Sequence, residues 1–398
     1  MSATESRASP LPRQSRPIAF LSLGYRPFFL LGAIWAALAM ALWIAMLSGR
    51  LALPTALTPV AWHAHELLYG SLPAIVAGFL LTAVPSWTER SPLTGVPLAL
   101  LAMLWIAGRA AVACSAWLGP LTCASIDVAF LAALTTLIGR EIVASRDWED
   151  AGVVVLLAVL AAGNAIFHVE ALRDAPSHGL RIAIGAAVAL ITLIGGRIVP
   201  AFTRNWLADR GPGRLPAPFV GFDAVTIGGG VVALVSWVTW PAQVFTAALC
   251  TLAALLHAAR LARWAGERAA AERLVLILHV GYAFVPVGFA CVAISAFAPS
   301  TLAPTTALHA WTAGAIGTMT LAVMTRATLG HSGRPLHADT MTSVLYAAVI
   351  VAALARIVSG VFQSSRLLLD VAAGGWIVAF AGFAVTYAKM IVSPRSDA

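Results

Sequence analysis

Twelve long apolar runs, separated by short polar or proline- and glycine-marked breaks, pattern the chain. They cover about residues 20–48, 60–84, 94–116, 119–139, 151–172, 179–202, 219–239, 241–263, 272–296, 304–328, 341–362 and 366–390. About 20 apolar residues suffice to cross a hydrocarbon core of about 30 Å as a helix. Pro59 and Pro304 stand where a first helical turn begins, a position whose N–H has no helical partner to lose. The stretch GPGRLPAP, 211–218, reads as a connecting loop. Alternating segments of roughly ten residues, the mark of a membrane β-barrel, are absent. The pattern predicts an all-α polytopic membrane protein, a bundle of about twelve transmembrane helices. Residues 20–390 form one integral-membrane domain between tails at 1–19 and 391–398. The first run is too long for a signal-peptide core and no cleavage site follows it, so it reads as an uncleaved span.

Composition supports this reading. The chain has 398 residues, of which 60% are hydrophobic and 11% charged, with a formal net charge of +8. A soluble domain carries roughly 25% charged residues, so much of this surface must face the lipid bilayer. The cations are scattered singly through short loops, which argues against a nucleic-acid partner and for topology charge. With the N-terminus in the cytoplasm, loops bearing Arg90, Arg140, Arg146, Arg204, Arg210, Arg214, Arg268, Arg334 and Arg395 share that face. Only Arg50, Arg109, Arg173, Arg181 and Arg366 fall on the other. Both termini are therefore expected in the cytoplasm, with Arg197 and Arg356 inside spans.

Of the four cysteines, none forms CxxC or CxxCH, so covalent haem attachment is not expected. Cys114 and Cys123 flank one short loop and are either a pair or small apolar filler. One internal echo links His65-x4-Gly70 to His309-x4-Gly314. Trp43, Trp62, Trp87, Trp148, Trp206, Trp240 and Trp311 fall near span ends, as an aromatic belt would place them. Met319 and Met324 read as packing residues.

Histidines carry the chemistry. WHAHE, 62–66, opens the second span; His168 closes the fifth and His309 opens the tenth. Counted from the span ends, these histidines share one depth, about 6–9 Å inside. A single interfacial histidine is ordinarily just hydrogen-bonded, but several at one depth point to a metal. His63, His65, His168 and His309 are the candidate metal ligands, and imidazole suits copper, iron and zinc. His63 and His65 point about 200° apart on a regular helix, so they reach one centre only if the helix start is irregular; the simpler arrangement is two nearby centres, or one as ligand and one as support. Glu66 is the candidate catalytic group: it can orient a ligand imidazole or accept a proton. On the opposite face, His279 and His331 with Arg197, Arg204 and Arg326 form a second set able to hold a haem through imidazole and propionate–guanidinium pairs. His257 reads as structural; His178 and His337 read as loop residues. Phosphate-loop, zincin and Ser-His-Asp signatures are absent.

The blocks GYRPFF (24–29), WHAHELLYG (62–70), GFLLTAVPSWTER (78–90), GGRIVPAFTRNWL (195–207) and LHAWTAGAIGTMTLAVMTRATLGHSGR (308–334) resemble the NnrS family over nearly the whole chain. That resemblance implies a bacterial inner-membrane protein containing non-covalent b-type haem and copper, linked to nitric oxide stress. It also implies that His63, His65, His309 and His331 match family positions, without saying which binds which cofactor. Nitric oxide is then the expected small ligand, with an electron donor not identified and turnover left open. Two other classes fit the same features: a secondary transporter with twelve spans and intramembrane charges, and a non-catalytic sensor or assembly protein.

Overall fold

Inside a bilayer every backbone N–H and C=O must be paired within the protein, so long apolar runs fold as helices. The computed structural model describes residues 18–395 except 147, 174–176 and 363–364, so Arg7, Arg13, Arg16 and most of the N-terminal tail lie outside the described residues. Its membrane-length helices are α1 (Tyr25–Leu47), α2 (Pro59–Trp87), α3 (Gly95–Ala113), α4 (Pro120–Ser145), α5 (Trp148–Ala171), α6 (His178–Leu207), α7 (Gly221–Thr239), α8 (Val244–Ala262), α9 (Arg273–Phe297), α10 (Pro304–His331), α11 (Thr340–Val361) and α12 (Arg366–Val392). Each predicted run corresponds to one helix. Differences lie at the ends: α4 and α6 continue several residues further, and α1 begins at Tyr25, after a short 3-10 turn at Ala19–Leu21. No strand occurs among the described residues.

The helices form three consecutive four-helix units, α1–α4, α5–α8 and α9–α12. In each unit the first helix packs on the second and the third on the fourth. The fourth packs on the first helix of the next unit: α4 on α5, α8 on α9, and α12 back on α1. The result is a closed ring. Its seam is tied by Arg26, whose guanidinium donates to the carbonyls of Ile391 (2.7 Å) and Ser393 (2.5 Å), and by the Trp376 indole, which donates to Ala36 O at 3.0 Å.

The second helix of each unit is the long central one. α2, α6 and α10 run 29, 30 and 28 residues, and 78%, 67% and 67% of their most apolar stretches are buried, against 33–44% for every other helix except α9. Each of the three contains a π-helical stretch, at Glu66–Ser71, Ile191–Gly195 and Ala310–Ile316. A π turn shifts the hydrogen-bond ladder by one residue and is frequent at functional sites. Side chains meet the altered ladder: Trp105 donates to Gly70 O at 2.9 Å and Arg260 to Thr192 O at 2.9 Å. The echo of His65-x4-Gly70 with His309-x4-Gly314 thus marks equivalent positions of two units. The third copy, Leu190-x4-Gly195, carries leucine in place of histidine. Between the central helices lies a cavity of about 80 Å³ lined by Leu72, Ile75, Leu190, Ile194, Met319 and Val323 among others, with no polar atom facing it.

One expectation needs correction and one open choice is resolved. Trp148 and Trp240 are exposed, as a belt requires, but Trp62 and Trp311 are fully buried. Trp311 packs edge-on against Trp237 and Phe289 and donates to Val285 O, because α10 is central and has no lipid-facing side at that point. Cys114 and Cys123 are both free thiols, so the filler reading holds.

Candidate metal centre

WHAHE sits where α2 changes from α to π geometry. Thr58 caps the helix by accepting the Ala61 N–H at 3.3 Å, Pro59 occupies the first turn, and the π stretch begins at Glu66. His63 and His65 then leave on different faces. His63 stacks on Trp43 of α1, ring centroids 3.9 Å apart and 20° from parallel. His65 turns toward α4 and α5 and is wholly buried.

The His65 side forms one compact cluster. His65 Nε2 lies 3.1 Å from Asp127 Oδ2 and 3.2 Å from Asn164 Oδ1. Asp127 Oδ2 also accepts from His168 Nε2 at 2.9 Å and Asn164 Nδ2 at 2.8 Å. One ligand atom from each of His65, Asp127 and His168 lies within 4.8 Å of the others. These residues stand within about two turns of the same end of the bundle: early in α2 and α4, late in α5. Antiparallel packing brings them to one level.

The supporting shell is as ordered as the donors. His65 Nδ1 donates to Glu66 Oε1 at 3.0 Å, the partner arrangement that fixes tautomer and ring orientation in metal-ligating histidines. Arg109 of α3 bridges the two carboxylates: its Nη1 donates to both Glu66 oxygens at 3.0 and 2.9 Å, and its Nη2 to Asp127 Oδ1. Trp35 donates to Glu66 Oε2 at 2.7 Å. Gly70 leaves room for this: a methyl there would sit 2.5 Å from Arg109 Nη1 and 3.0 Å from Glu66 Oε2. Phe167 and Tyr69 wall the His65 ring. Two carboxylates face one guanidinium, and His65, with one ring nitrogen against each carboxylate, supplies the balancing charge when it holds a second proton. A cation shared by the imidazoles and Asp127 would take the place of that proton.

Other sequence candidates lie elsewhere. His309 is on α10, its Nδ1 donating to Thr305 O at 2.5 Å, away from the Asp127 cluster. His279 is bonded to Thr203 Oγ1 at 2.8 Å. His331 stacks on Tyr25, centroids 5.5 Å apart. Arg197 pairs with Asp150, Arg204 donates to Pro216 O at 2.5 Å, and Arg326 lies over the Phe202 ring. Each member of that second set is engaged with protein. Asp127, Asn164 and Arg109 are the cluster members the histidine pattern does not reveal. A carboxylate deep in an apolar run, as in SIDVAF, was the one available signal.

A second buried network joins α6 to α9 on the opposite side of the bundle. Arg260 donates to Asp223 Oδ1 at 3.0 Å, and to Thr192 O and Tyr282 Oη at 2.9 and 3.0 Å. His257 Nδ1 lies 2.9 Å from Tyr282 Oη, and its ring stacks on Phe289.

A closed ring of twelve membrane-length helices, with two histidines and a carboxylate gathered between its spans, defines a polytopic helical membrane protein. Residues 19–395 match the family model described as NnrS protein. The chain belongs to the NnrS family. No curated protein matches it.

Proposed function

We propose that this protein binds copper and haem within the bacterial inner membrane and uses them to bind nitric oxide as part of a nitric oxide response. The convergence of His65, Asp127 and His168 from three helices carries this reading. Imidazole and carboxylate donors suit copper(II), and the contacts of Glu66 with His65 Nδ1 and of Asn164 Nδ2 with Asp127 Oδ2 are of the kind that orient such ligands. Copper, when bound, supplies a redox-active Lewis acid. The protein's own residues do the rest: Arg109 holds both carboxylates in place, Phe167 and Tyr69 shield the His65 ring, and Glu66 stands ready to exchange a proton at His65 Nδ1. Loop charge supports cytoplasmic termini, and with that orientation this centre lies in the outer half of the membrane. The wholly apolar cavity between α2, α6 and α10 suits a small uncharged molecule and offers nothing to a charged solute, which favours this reading over a transporter.

Purified protein in detergent should show a Soret band, stoichiometric copper by elemental analysis, and a spectral shift on adding nitric oxide. A folded, monodisperse preparation with neither haem nor copper would overturn the proposal.

A further inference from the structure

The three central helices meet around the apolar cavity of about 80 Å³, and each reaches it at the same point of its unit, within or just past its π stretch. Ile75 of α2, Leu190 and Gly195 of α6, and Met319 of α10 stand in its wall. Ile75 follows His65 by ten residues on α2, about 15 Å at 1.5 Å per residue, so this space is separate from the Asp127 cluster. Polar groups beside it are already committed. Thr320, the lining residue with a hydroxyl, shares its proton between Ile316 O at 2.7 Å and Gly317 O at 3.0 Å. In the π stretch of α6, Thr192 O accepts Arg260 at 2.9 Å. Gly195 has ordinary helical backbone, φ −58°, so its conformation does not call for glycine, a poor helix former. A methyl there would meet Ile191 and Met319 at 3.8 Å and Tyr282 at 3.5 Å, all ordinary contacts. What glycine provides at this position is room.

We infer that this cavity is a docking site for a single uncharged diatomic gas molecule, distinct from the metal centre. A buried water needs about two to four polar partners, and this wall presents none, although the space is several times the roughly 10–15 Å³ that one water requires. Without a guest, the lining atoms forfeit dispersion contacts on one side. A small molecule with no charge restores them and is itself driven out of water. Charged or strongly hydrogen-bonding solutes would leave their polar groups unpaired here. The thioether of Met319 is flexible and polarisable, so it can shift to fit such a guest. The identity of the physiological gas rests on the nitric oxide reading proposed above; the site itself does not.

The test uses xenon, an uncharged and polarisable atom known to enter apolar cavities, on the full-length protein. Wild-type crystals under xenon pressure should show an anomalous-scattering peak between α2, α6 and α10. Gly195→Ala should lower its occupancy about threefold, through the space and dispersion contacts that a methyl removes, and Leu190→Phe should abolish it. Thermal unfolding checks that both variants fold. In solution, dissolved dioxygen should broaden the methyl resonance of Met319 more than that of Met324, which is also buried but lies outside the cavity wall, and Leu190→Phe should cancel the difference. No xenon peak here in wild type, or a peak undiminished by Leu190→Phe, overturns the inference. Xenon requires neither haem nor copper. A folded preparation lacking both that still takes up xenon here defeats the proposed function and leaves this site standing. One that holds both cofactors and takes up no xenon here defeats this site alone.

Discussion

Where the first four-helix unit meets the second, the bundle buries Glu66, Asp127, Arg109, His65 and Asn164 and largely covers His168. Where the second meets the third, it buries Asp223, Arg260, Tyr282 and His257. The two junctions use the same helices of their units and the same device, an arginine on a carboxylate. They differ in sign. The first has two carboxylates for one arginine and turns two imidazoles onto the surplus oxygen. The second has one carboxylate, Asp223, approached by both Arg260 and Arg263 at 3.0 and 3.4 Å. Its histidine meets a phenol on one side, and on the other its Nε2 abuts Gly230, where even a methyl would stand only 2.7 Å away. An acid-rich pocket with converging lone pairs attracts a cation; a base-rich, filled one repels it. The lesson is that one buried architecture becomes a ligand site or a structural rivet according to the balance of its charges.

The comparison can be broken most forcefully at the ion pairs. Asp223→Ala should destabilise the protein by about 3–5 kcal/mol, because it strands the buried Arg260; Asp127→Ala should cost less, because Arg109 keeps both oxygens of Glu66. Thermal unfolding in detergent measures this, and only Asp127→Ala should also abolish copper. Equal copper loss in both would end the distinction. Next, His65→Ala and His168→Ala should bring copper to background in elemental analysis, whereas His257→Ala should leave it unchanged. Asn164→Ala, which removes a contact behind the donors, should weaken copper by about 10–100-fold in a competition titration. Gly70→Ala should cost about 1–3 kcal/mol by crowding Arg109, read as a lower unfolding temperature without a change in metal preference. Smallest is Thr203→Val, which strips His279 of its partner: about 1 kcal/mol, with haem content unaltered if His279 has only a structural role.

Much of the fold was legible because lipid imposes so strict a rule. Long apolar runs, Pro59 and Pro304 at helix starts, and GPGRLPAP between α6 and α7 each follow from local chemistry. The four-helix repeat was only half legible. His65 and His309 marked two copies, but Leu190 erased the mark in the third, and π turns leave no sequence signature of their own. Around the site, histidine could be seen as costly in an apolar run and thus as a candidate. Glu66 beside it and Asp127 in its apolar run could be seen too; Arg109 and Asn164 could not. Arg109 was read as one more loop-facing cation, and Asn164 is one polar residue among many.

The sequence by itself determined that the chain spans a membrane, how many times, and which side chains would be expensive to bury there. Hydrophobic length and charge are local quantities, and they need no knowledge of neighbours. Only the tertiary structure decided that His65 belongs with Asp127 and His168 and that His63 turns instead to Trp43. Those pairings depend on which helix lies beside which and at what height. That is settled by the closure of three units into a ring and by π turns that rotate one side chain relative to the next.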